Sequence, residues 1–279
     1  MADETFVISE SAFLAAYAVV CSGVLGLLLG SFANVVIFRV PAGVSIVKPP
    51  SACPNCHNRI RSRDNLPVLG WLLLHGKCRD CQAPISARYP LVEAGTGVLF
   101  TVVALRFGLY PALAPYLTFA FFAVVLTMID VDTFRLPTPV IYWFAGLGTA
   151  LLVVASFTEP PRGGSLLRAG EGAAIMFAVY LLAFVGSRGR GMGFGDVRLA
   201  PVLGAFMAYL GWGQLAVGGL SAFLYGSVLG IALVLFRDAG RKTRIPFGPF
   251  MLAGALTGIL VGGQAFHAYL HLFGIDQSL

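Results

Sequence analysis

Long apolar runs fill most of this chain, and short polar segments separate them. A run of about 20 apolar residues is long enough to cross the hydrocarbon core of a bilayer as a helix. The runs predict eight helices, over residues 11–38, 90–108, 112–130, 137–157, 171–186, 198–211, 214–236 and 248–273. The sequence GWGQ divides the sixth helix from the seventh, and an undivided run there would give seven helices.

The composition agrees with a membrane protein. Hydrophobic residues make up 57% of the 279 residues and charged residues 11%, whereas a soluble domain carries about 25% charged residues. The mean hydropathy is +0.82. The first ten residues, MADETFVISE, contain no Lys or Arg, so the first run is interpreted as a retained helix rather than a cleaved signal peptide. We therefore expect a polytopic protein in contact with membrane lipids.

The distribution of basic residues predicts the orientation, because Lys and Arg concentrate in cytoplasmic segments. If the loop before the second helix is cytoplasmic, the inside segments hold sixteen of the nineteen Lys and Arg residues. Only Arg106, Arg162 and Arg168 then fall outside, and both termini face outside. This bias accounts for most of the net charge of +6. No motif supports the rival interpretation, a nucleic-acid partner.

The one extended polar segment, residues 41–89, contains two CxxC pairs, which are Cys53 with Cys56 and Cys78 with Cys81. Two such pairs are typical of a tetrahedral zinc site. A segment this short cannot bury a large apolar core, so a metal would supply stability. In the reducing cytoplasm zinc is favoured over the alternative, two disulfides. Four thiolates leave no open coordination position, which predicts a structural zinc.

Acidic residues lie at predicted cytoplasmic ends of two helices. Asp130 and Asp132 end the third helix, and Asp196 follows a glycine-rich stretch before the sixth. Ionisable groups are costly near hydrocarbon and mark candidate functional sites. The alternative is that these acids are interfacial charges, solvated or paired with Arg135 and Arg198.

The surroundings of Asp196 favour a functional site. Glycines at 191, 193 and 195 permit close backbone approach and unusual dihedral angles, so we expect them to form a hinge. On the third helix, Asp130 and Asp132 differ by about 200° in direction, so only one of them faces the interior. Periodicity does not choose between these two.

Two carboxylates held close together in a partly dry site share a proton. The ionised carboxylate then accepts a proton from an attacking water, and the protonated one donates to the carbonyl oxygen of a peptide bond. This chemistry is aspartyl proteolysis. Two alternatives stay open: a proton-coupled membrane transporter that uses the intramembrane acids as a relay, and a membrane-anchored zinc-knuckle adaptor without chemistry.

The sequence GFGD at 193–196 resembles the GxGD signature of intramembrane aspartyl proteases. The longer stretch GMGFGDVRLAPVLGAF resembles the type IV prepilin peptidase (leader peptidase / N-methyltransferase) family. Four further stretches resemble segments of the same family, at 30–41, 53–93, 128–137 and 245–255. Together they cover nearly the whole chain.

The resemblance implies residue roles. The catalytic pair falls on Asp130 and Asp196, with Asp132 as a neighbour. Gly193 and Gly195 form the active-site hinge. Relatives often have an Asp directly after the Leu-Pro pair, whereas this chain has Thr138.

The resemblance also implies an architecture, which is all-α with about eight transmembrane helices and a small cytoplasmic zinc-knuckle domain between the first two. Residues 1–40 form the first transmembrane helix, 41–89 the zinc-binding domain and 90–279 a seven-helix peptidase domain. The implied location is the bacterial inner membrane, with the zinc domain and the catalytic acids at the cytoplasmic face.

The implied reaction is removal of the short basic leader from type IV prepilins or from the pseudopilins of protein secretion. Many family members then methylate the new N-terminus with S-adenosylmethionine, an activity associated with the zinc-domain half. The residues that bind S-adenosylmethionine, the identity of the prepilin and the oligomeric state are not predicted.

Overall fold

The computed structural model describes residues 2–158, 166–189, 192–236 and 246–274, of which residues 2–13, 234 and 236 are described by backbone alone. Arg162 and Gly191 lie outside these ranges. The described helices are α1 (Ala2–Arg39), α2 (Leu69–Leu73), α3 (Arg88–Phe107), α4 (Leu113–Thr133), α5 (Thr138–Thr158), α6 (Leu166–Gly186), α7 (Phe194–Leu210), α8 (Trp212–Phe236) and α9 (Gly248–Leu272), with a short 3₁₀ helix at Ser62–Asp64.

The predicted all-α membrane architecture is confirmed. Each of the eight predicted helices corresponds to a long described helix, and Gly211 separates α7 from α8 as expected. Among the described residues, seven helices are long and apolar enough to cross a membrane, while α7 has only 17 residues. The protein is therefore an integral membrane protein.

Three predicted helix starts are wrong. The first helix begins at Ala2 rather than at residue 11, the fifth long helix at Leu166 rather than at residue 171, and the sixth at Phe194 rather than at residue 198. The last difference has a physical cause, since Asp196 closes the first turn of α7 with its own side chain. The acid therefore lies inside a helix, not in a loop before it.

The backbone divides into two compact units, residues 1–113 and 114–279. In the first unit α1 packs against α3 through small residues. A Cβ added to Gly26 would lie 2.9 Å from the Cα of Gly97, which is the close approach that glycine permits between helices in lipid. The division of functions among 1–40, 41–89 and 90–279 remains a prediction.

The second unit contains two further pairs of helices that pack against each other at glycines. Between α6 and α7, a Cβ added to Gly172 would lie 2.8 Å from the carbonyl oxygen of Gly204. Between α8 and α9, a Cβ added to Gly218 would lie 3.2 Å from the Cα of Gly258. These contacts keep the backbones of each pair close together.

Aromatic side chains connect α4 and α5 with α7. The ring of Phe119 lies 5.5 Å from the ring of Phe144 and 5.2 Å from that of Phe206, measured between centroids. The hydroxyl of Tyr116 donates a hydrogen bond of 2.8 Å to the carbonyl oxygen of Phe206. This buried cluster fixes α4, which carries Asp130 in its last turn, against α7, which carries Asp196 in its first turn.

Candidate active site and candidate metal centre

Asp130 lies in the last turn of α4 and is only 4% exposed. Its Oδ2 accepts a hydrogen bond of 3.1 Å from the backbone N–H of Gly248, the first residue of α9. The N-terminus of a helix carries unpaired N–H groups and a partial positive charge, both of which favour a carboxylate. The start of α9 therefore holds Asp130 in place.

Asp196 lies in the first turn of α7 and is 6% exposed. Its Oδ2 accepts a hydrogen bond of 2.9 Å from the N–H of Gly193, whose carbonyl oxygen accepts one of 3.1 Å from the N–H of Asp196. The carboxylate binds the N-cap N–H as the N3 acid of a capping box does, while the N-cap residue, a glycine, accepts through its backbone carbonyl, and both bonds stabilise the start of the helix. Asp196 thus has a structural role in addition to any chemical one.

The two acids belong to one region of the second unit. Leu136 connects their surroundings, because a Cβ added to Gly195 would lie 3.0 Å from the Leu136 Cβ and one added to Gly248 would lie 3.3 Å from the Leu136 Cδ2. Gly195 precedes Asp196, and the N–H of Gly248 binds Asp130, so both acids lie beside this leucine. The structure therefore brings these two residues together, and their catalytic roles remain a prediction.

Asp132 is exposed on the same helix that buries Asp130. The difference of about 200° between the two positions requires such opposite surroundings. Asp130 is therefore the acid of α4 that faces the interior of the unit.

For Asp130 and Asp196, the alternative of interfacial ion pairs is not what the structure contains. Neither of these two acids forms an ion pair with a described residue. Arg198 instead donates a hydrogen bond of 2.6 Å to the Oγ1 of Thr138, and its guanidinium lies 4.7 Å from the ring centroid of Phe194. Within the described residues, neither buried carboxylate is neutralised by a cation.

Gly193 and Gly195 do not use the unusual dihedral angles that glycine permits. Gly193 has φ −79° and ψ 153°, an extended conformation open to any residue, and Gly195 does not have positive φ. The positive φ angles of this segment fall earlier, at Arg188 and Gly189. Gly193 contributes its N–H, and Gly195 contributes close approach to Leu136.

The four predicted metal ligands form a compact cluster in the first unit. All four Sγ atoms lie within 4.8 Å of one another. The Sγ of Cys53 is 3.8 Å from that of Cys81, and the Sγ of Cys56 is 4.0 Å from that of Cys78. All are free thiols, so the alternative of two disulfides is not what the structure contains.

The two halves of this cluster have the same backbone geometry. In the first knuckle the N–H of Cys53 donates to the Asn58 carbonyl, and in the second the N–H of Cys78 donates to that of Ala83. The residue after the second cysteine has positive φ in both, 60° at His57 and 59° at Gln82. Each turn thus directs two thiols to one side.

A tetrahedral metal site with metal–sulfur bonds of about 2.3 Å places its sulfurs about 3.8 Å apart. The observed Sγ distances of 3.8 and 4.0 Å match this requirement. The cluster therefore has the donor set and the spacing to hold one metal ion.

Sequence analysis did not identify Gly248 as a residue of the acid site. It lies in the stretch PFGPF at the start of α9, which indicates a helix boundary and nothing more. Its contact with Asp130 joins positions 118 residues apart. That pairing depends on the packing of α9 against the end of α4.

Comparison with known proteins assigns both parts of the chain. Residues 24–107 match the model of the bacterial peptidase A24 N-terminal domain, and residues 117–235 match that of the type IV leader peptidase family. The second range contains both buried acids. No solved structure matches this chain.

Curated relatives extend the match over nearly the whole chain. A prepilin leader peptidase/N-methyltransferase of Stutzerimonas stutzeri is 35% identical over 276 residues, covering 90% of this chain and 93% of that protein. Proteins with the same name are 32% identical in Pseudomonas aeruginosa, covering 92% and 94%, and 40% identical in Myxococcus xanthus, covering 79% and 64%. This chain, with its paired buried acids and its four-cysteine cluster, belongs to the type IV leader peptidase family.

Proposed function

We propose that this chain is a bacterial prepilin leader peptidase in which Asp130 and Asp196 are the catalytic pair. One observation carries the proposal: two buried carboxylates lie in one region around Leu136, each held through Oδ2 by one backbone N–H. No described cation neutralises either carboxylate. Nothing in the comparisons supports the proton-coupled transporter alternative.

The reaction adds one water across a peptide bond. The ionised carboxylate accepts a proton from water as the water oxygen bonds to the scissile carbonyl carbon, and the protonated carboxylate donates its proton to the carbonyl oxygen. The tetrahedral intermediate collapses when the carbon–nitrogen bond breaks: the nitrogen takes the proton that the first carboxylate accepted from water, and the second carboxylate recovers its proton from the former carbonyl oxygen. One new carboxyl group and one new amine result.

The backbone donors prepare the site for this chemistry. Since Oδ2 of each acid is already fixed, Oδ1 is the oxygen available to water or substrate, and no described residue donates to it. Groups held before the substrate arrives do not have to reorganise during the reaction. The site therefore fixes the direction of both acids without consuming their reactive oxygens.

The substrates in this proposal are prepilins or pseudopilins with a basic leader that ends in Gly and precedes an apolar helix. The predicted orientation supports it, because the acids then lie at the cytoplasmic face, where a basic leader stays. The proposed location is the bacterial inner membrane, with several spans and both termini outside.

We also propose that the cluster of Cys53, Cys56, Cys78 and Cys81 holds a structural zinc. The four sulfurs have the spacing of a tetrahedral site and complete it without an open position. Bound there, zinc would connect the two knuckles and stabilise the 41–89 segment. The donor set supports a structural ion rather than a catalytic one.

N-methylation of the new N-terminus is a second proposed activity, supported by the double name of the relatives. S-adenosylmethionine would supply the methyl group. The acids of the described 41–93 stretch are engaged elsewhere, Asp64 with Arg79, Asp80 with Arg61 and Glu93 with a backbone N–H. We assign no residues to the binding of S-adenosylmethionine.

Mass spectrometry of a prepilin co-expressed with this chain tests the peptidase proposal. The wild type is compared with Asp130→Asn, Asp196→Asn and the matched control Asp132→Asn. We expect the first two substitutions to lower cleavage by at least about 1,000-fold and the control to cleave normally. An added methyl mass on the product would establish the second activity. Cleavage by all four proteins, or by none of them, would overturn the assignment.

A further inference from the structure

Tyr180 has the one buried side-chain oxygen or nitrogen without a hydrogen-bond partner among the described residues. The residue is 0% exposed. A buried hydroxyl without a partner destabilises the folded state, so its presence in a native protein calls for an explanation.

The apolar contacts of Tyr180 do not explain the hydroxyl. The Tyr180 ring centroid lies 5.6 Å from that of Phe223 on α8 and 6.2 Å from that of Phe247, the residue before α9. A phenylalanine at position 180 would make these same ring contacts without burying an oxygen. The packing alone therefore favours Phe over Tyr.

The helix pair α6 and α7 places Tyr180 beside the first turns of α7. Met176 contacts Gly204, because a Cβ added to Gly204 would lie 2.8 Å from the Met176 Cγ. Gly172, one turn earlier on α6, meets the same part of α7 and also Ala208, so the two helices run in opposite directions. One turn after Met176, Tyr180 is therefore nearer the start of α7.

Both acids lie around this position. The packing of α6 against α7 directs Tyr180 toward the first turn of α7, which contains Asp196. Phe247, which contacts the Tyr180 ring, precedes Gly248, whose N–H holds Asp130. Tyr180 thus lies between the two segments that hold the acid pair.

We propose that Tyr180 is a positioning residue of the peptidase, whose hydroxyl donates a hydrogen bond to Oδ1 of Asp196 when substrate binds. The proposal rests on the proposed peptidase function. Oδ2 of Asp196 is occupied by the Gly193 N–H, and no described residue donates to Oδ1. Catalytic hydrogen bonds commonly tighten only in the substrate complex.

The added hydrogen bond would have a defined effect. A donor to a carboxylate favours its ionised form, so Tyr180 would keep Asp196 as the proton acceptor from water. Asp130, whose only described donor is a backbone N–H, would then be the proton donor. The Tyr180 hydroxyl would therefore be the group that gives the two acids different protonation states.

The test is Tyr180→Phe, with Tyr225→Phe as the matched control. The Tyr225 hydroxyl lies 2.9 Å from the Oγ1 of Thr257, so its removal breaks a hydrogen bond between α8 and α9. Both variants, wild type and Asp196→Asn are purified, and Tm, kcat and KM for a prepilin are measured. The two hydroxyl deletions should have opposite effects.

Tyr180→Phe should keep or raise Tm and lower kcat by about 10- to 100-fold, with KM within about twofold of wild type. Tyr225→Phe should lower Tm and keep kcat near wild type. A normal kcat in Tyr180→Phe, or a loss of both Tm and kcat in this variant, would overturn the proposal. The peptidase function would still stand in either case if wild type cleaves the prepilin and Asp196→Asn does not. An inactive wild type would instead overturn the peptidase function and this role with it.

Discussion

The four-cysteine cluster and the acid pair are the two polar centres of this protein, and they differ in completeness. The cysteines come from positions at most 28 residues apart and complete each other around one point. The acid site brings together segments 118 residues apart and retains unused groups, the Oδ1 atoms of both acids and the hydroxyl of Tyr180. A centre that only stabilises can be closed, whereas one that reacts must keep atoms available for substrate.

Among the substitutions that distinguish the two centres, replacement of a cysteine ligand should have the largest effect. Cys56→Ser removes one of four ligands, so we expect zinc affinity to fall by at least about 100-fold. The 41–89 segment should then become sensitive to proteases. Metal content and limited proteolysis measure this, with Cys21→Ser, outside the cluster, as the control. Unchanged metal content in Cys56→Ser would contradict the assignment of a metal site to these four cysteines.

A pair of glycine substitutions tests how tightly the acid site is built. A Cβ added to Gly248 would lie 2.6 Å from Oδ2 of Asp130, so Gly248→Ala must displace the carboxylate. A Cβ added to Gly193 would lie 3.5 Å from Oδ2 of Asp196, an ordinary contact. A displacement of about 1 Å can cost 100-fold in rate. We therefore expect kcat to fall by about 100-fold in Gly248→Ala.

Gly193→Ala is the matched control, since both glycines donate their N–H to an acid and only one is crowded. It should keep kcat within about tenfold of wild type. Equal losses in the two variants would mean that crowding does not distinguish the two acids.

The smallest effect should come from the ion pair beside the cysteine cluster. Arg79 donates hydrogen bonds of 2.8 and 2.5 Å to Asp64 and lowers the pKa of this carboxyl, although burial opposes the shift. A lowered pKa stabilises the fold above the ordinary value of 3.8, and this contribution disappears as pH falls through the folded-state pKa.

Asp64→Asn should therefore accelerate proteolysis of the 41–89 segment by less than about tenfold at neutral pH. The difference in proteolysis rate between Asp64→Asn and wild type should begin to shrink below about pH 4 and disappear as pH falls through the folded-state pKa of Asp64. Proteolysis rates of wild type and Asp64→Asn, measured from neutral pH into this acid range, test the prediction. A gap that persists in acid would assign the effect to packing rather than to charge.

The sequence predicted the cysteine cluster more directly than the acid site. Spacing alone places two thiols on each knuckle, because a tight turn is a local structure. Periodicity could not choose between Asp130 and Asp132, since only packing decides which side of α4 is buried. The choice came from the resemblance, and the burial of Asp130 agrees with it.

Three features of the acid site depend on contacts that a sequence does not display. Gly248 acts through the approach of α9 to α4, and Tyr180 lies in an apolar run with no pattern around it. The start of α7 was placed too late because Asp196, expected in a hinge, caps the helix instead. Gly193 contributes its N–H and Gly195 its close approach to Leu136, and neither contribution requires an unusual dihedral angle.

The main-chain donors at Gly193 and Gly248 have a consequence for experiments that map this site. Alanine scanning removes side chains and leaves every N–H in place, so it cannot delete either donor. A harmful alanine at position 248 would report crowding, and a harmless one at position 193 would not show that the position is idle. Amide-to-ester replacement deletes the N–H itself, and only that kind of backbone chemistry would reveal what these two groups contribute.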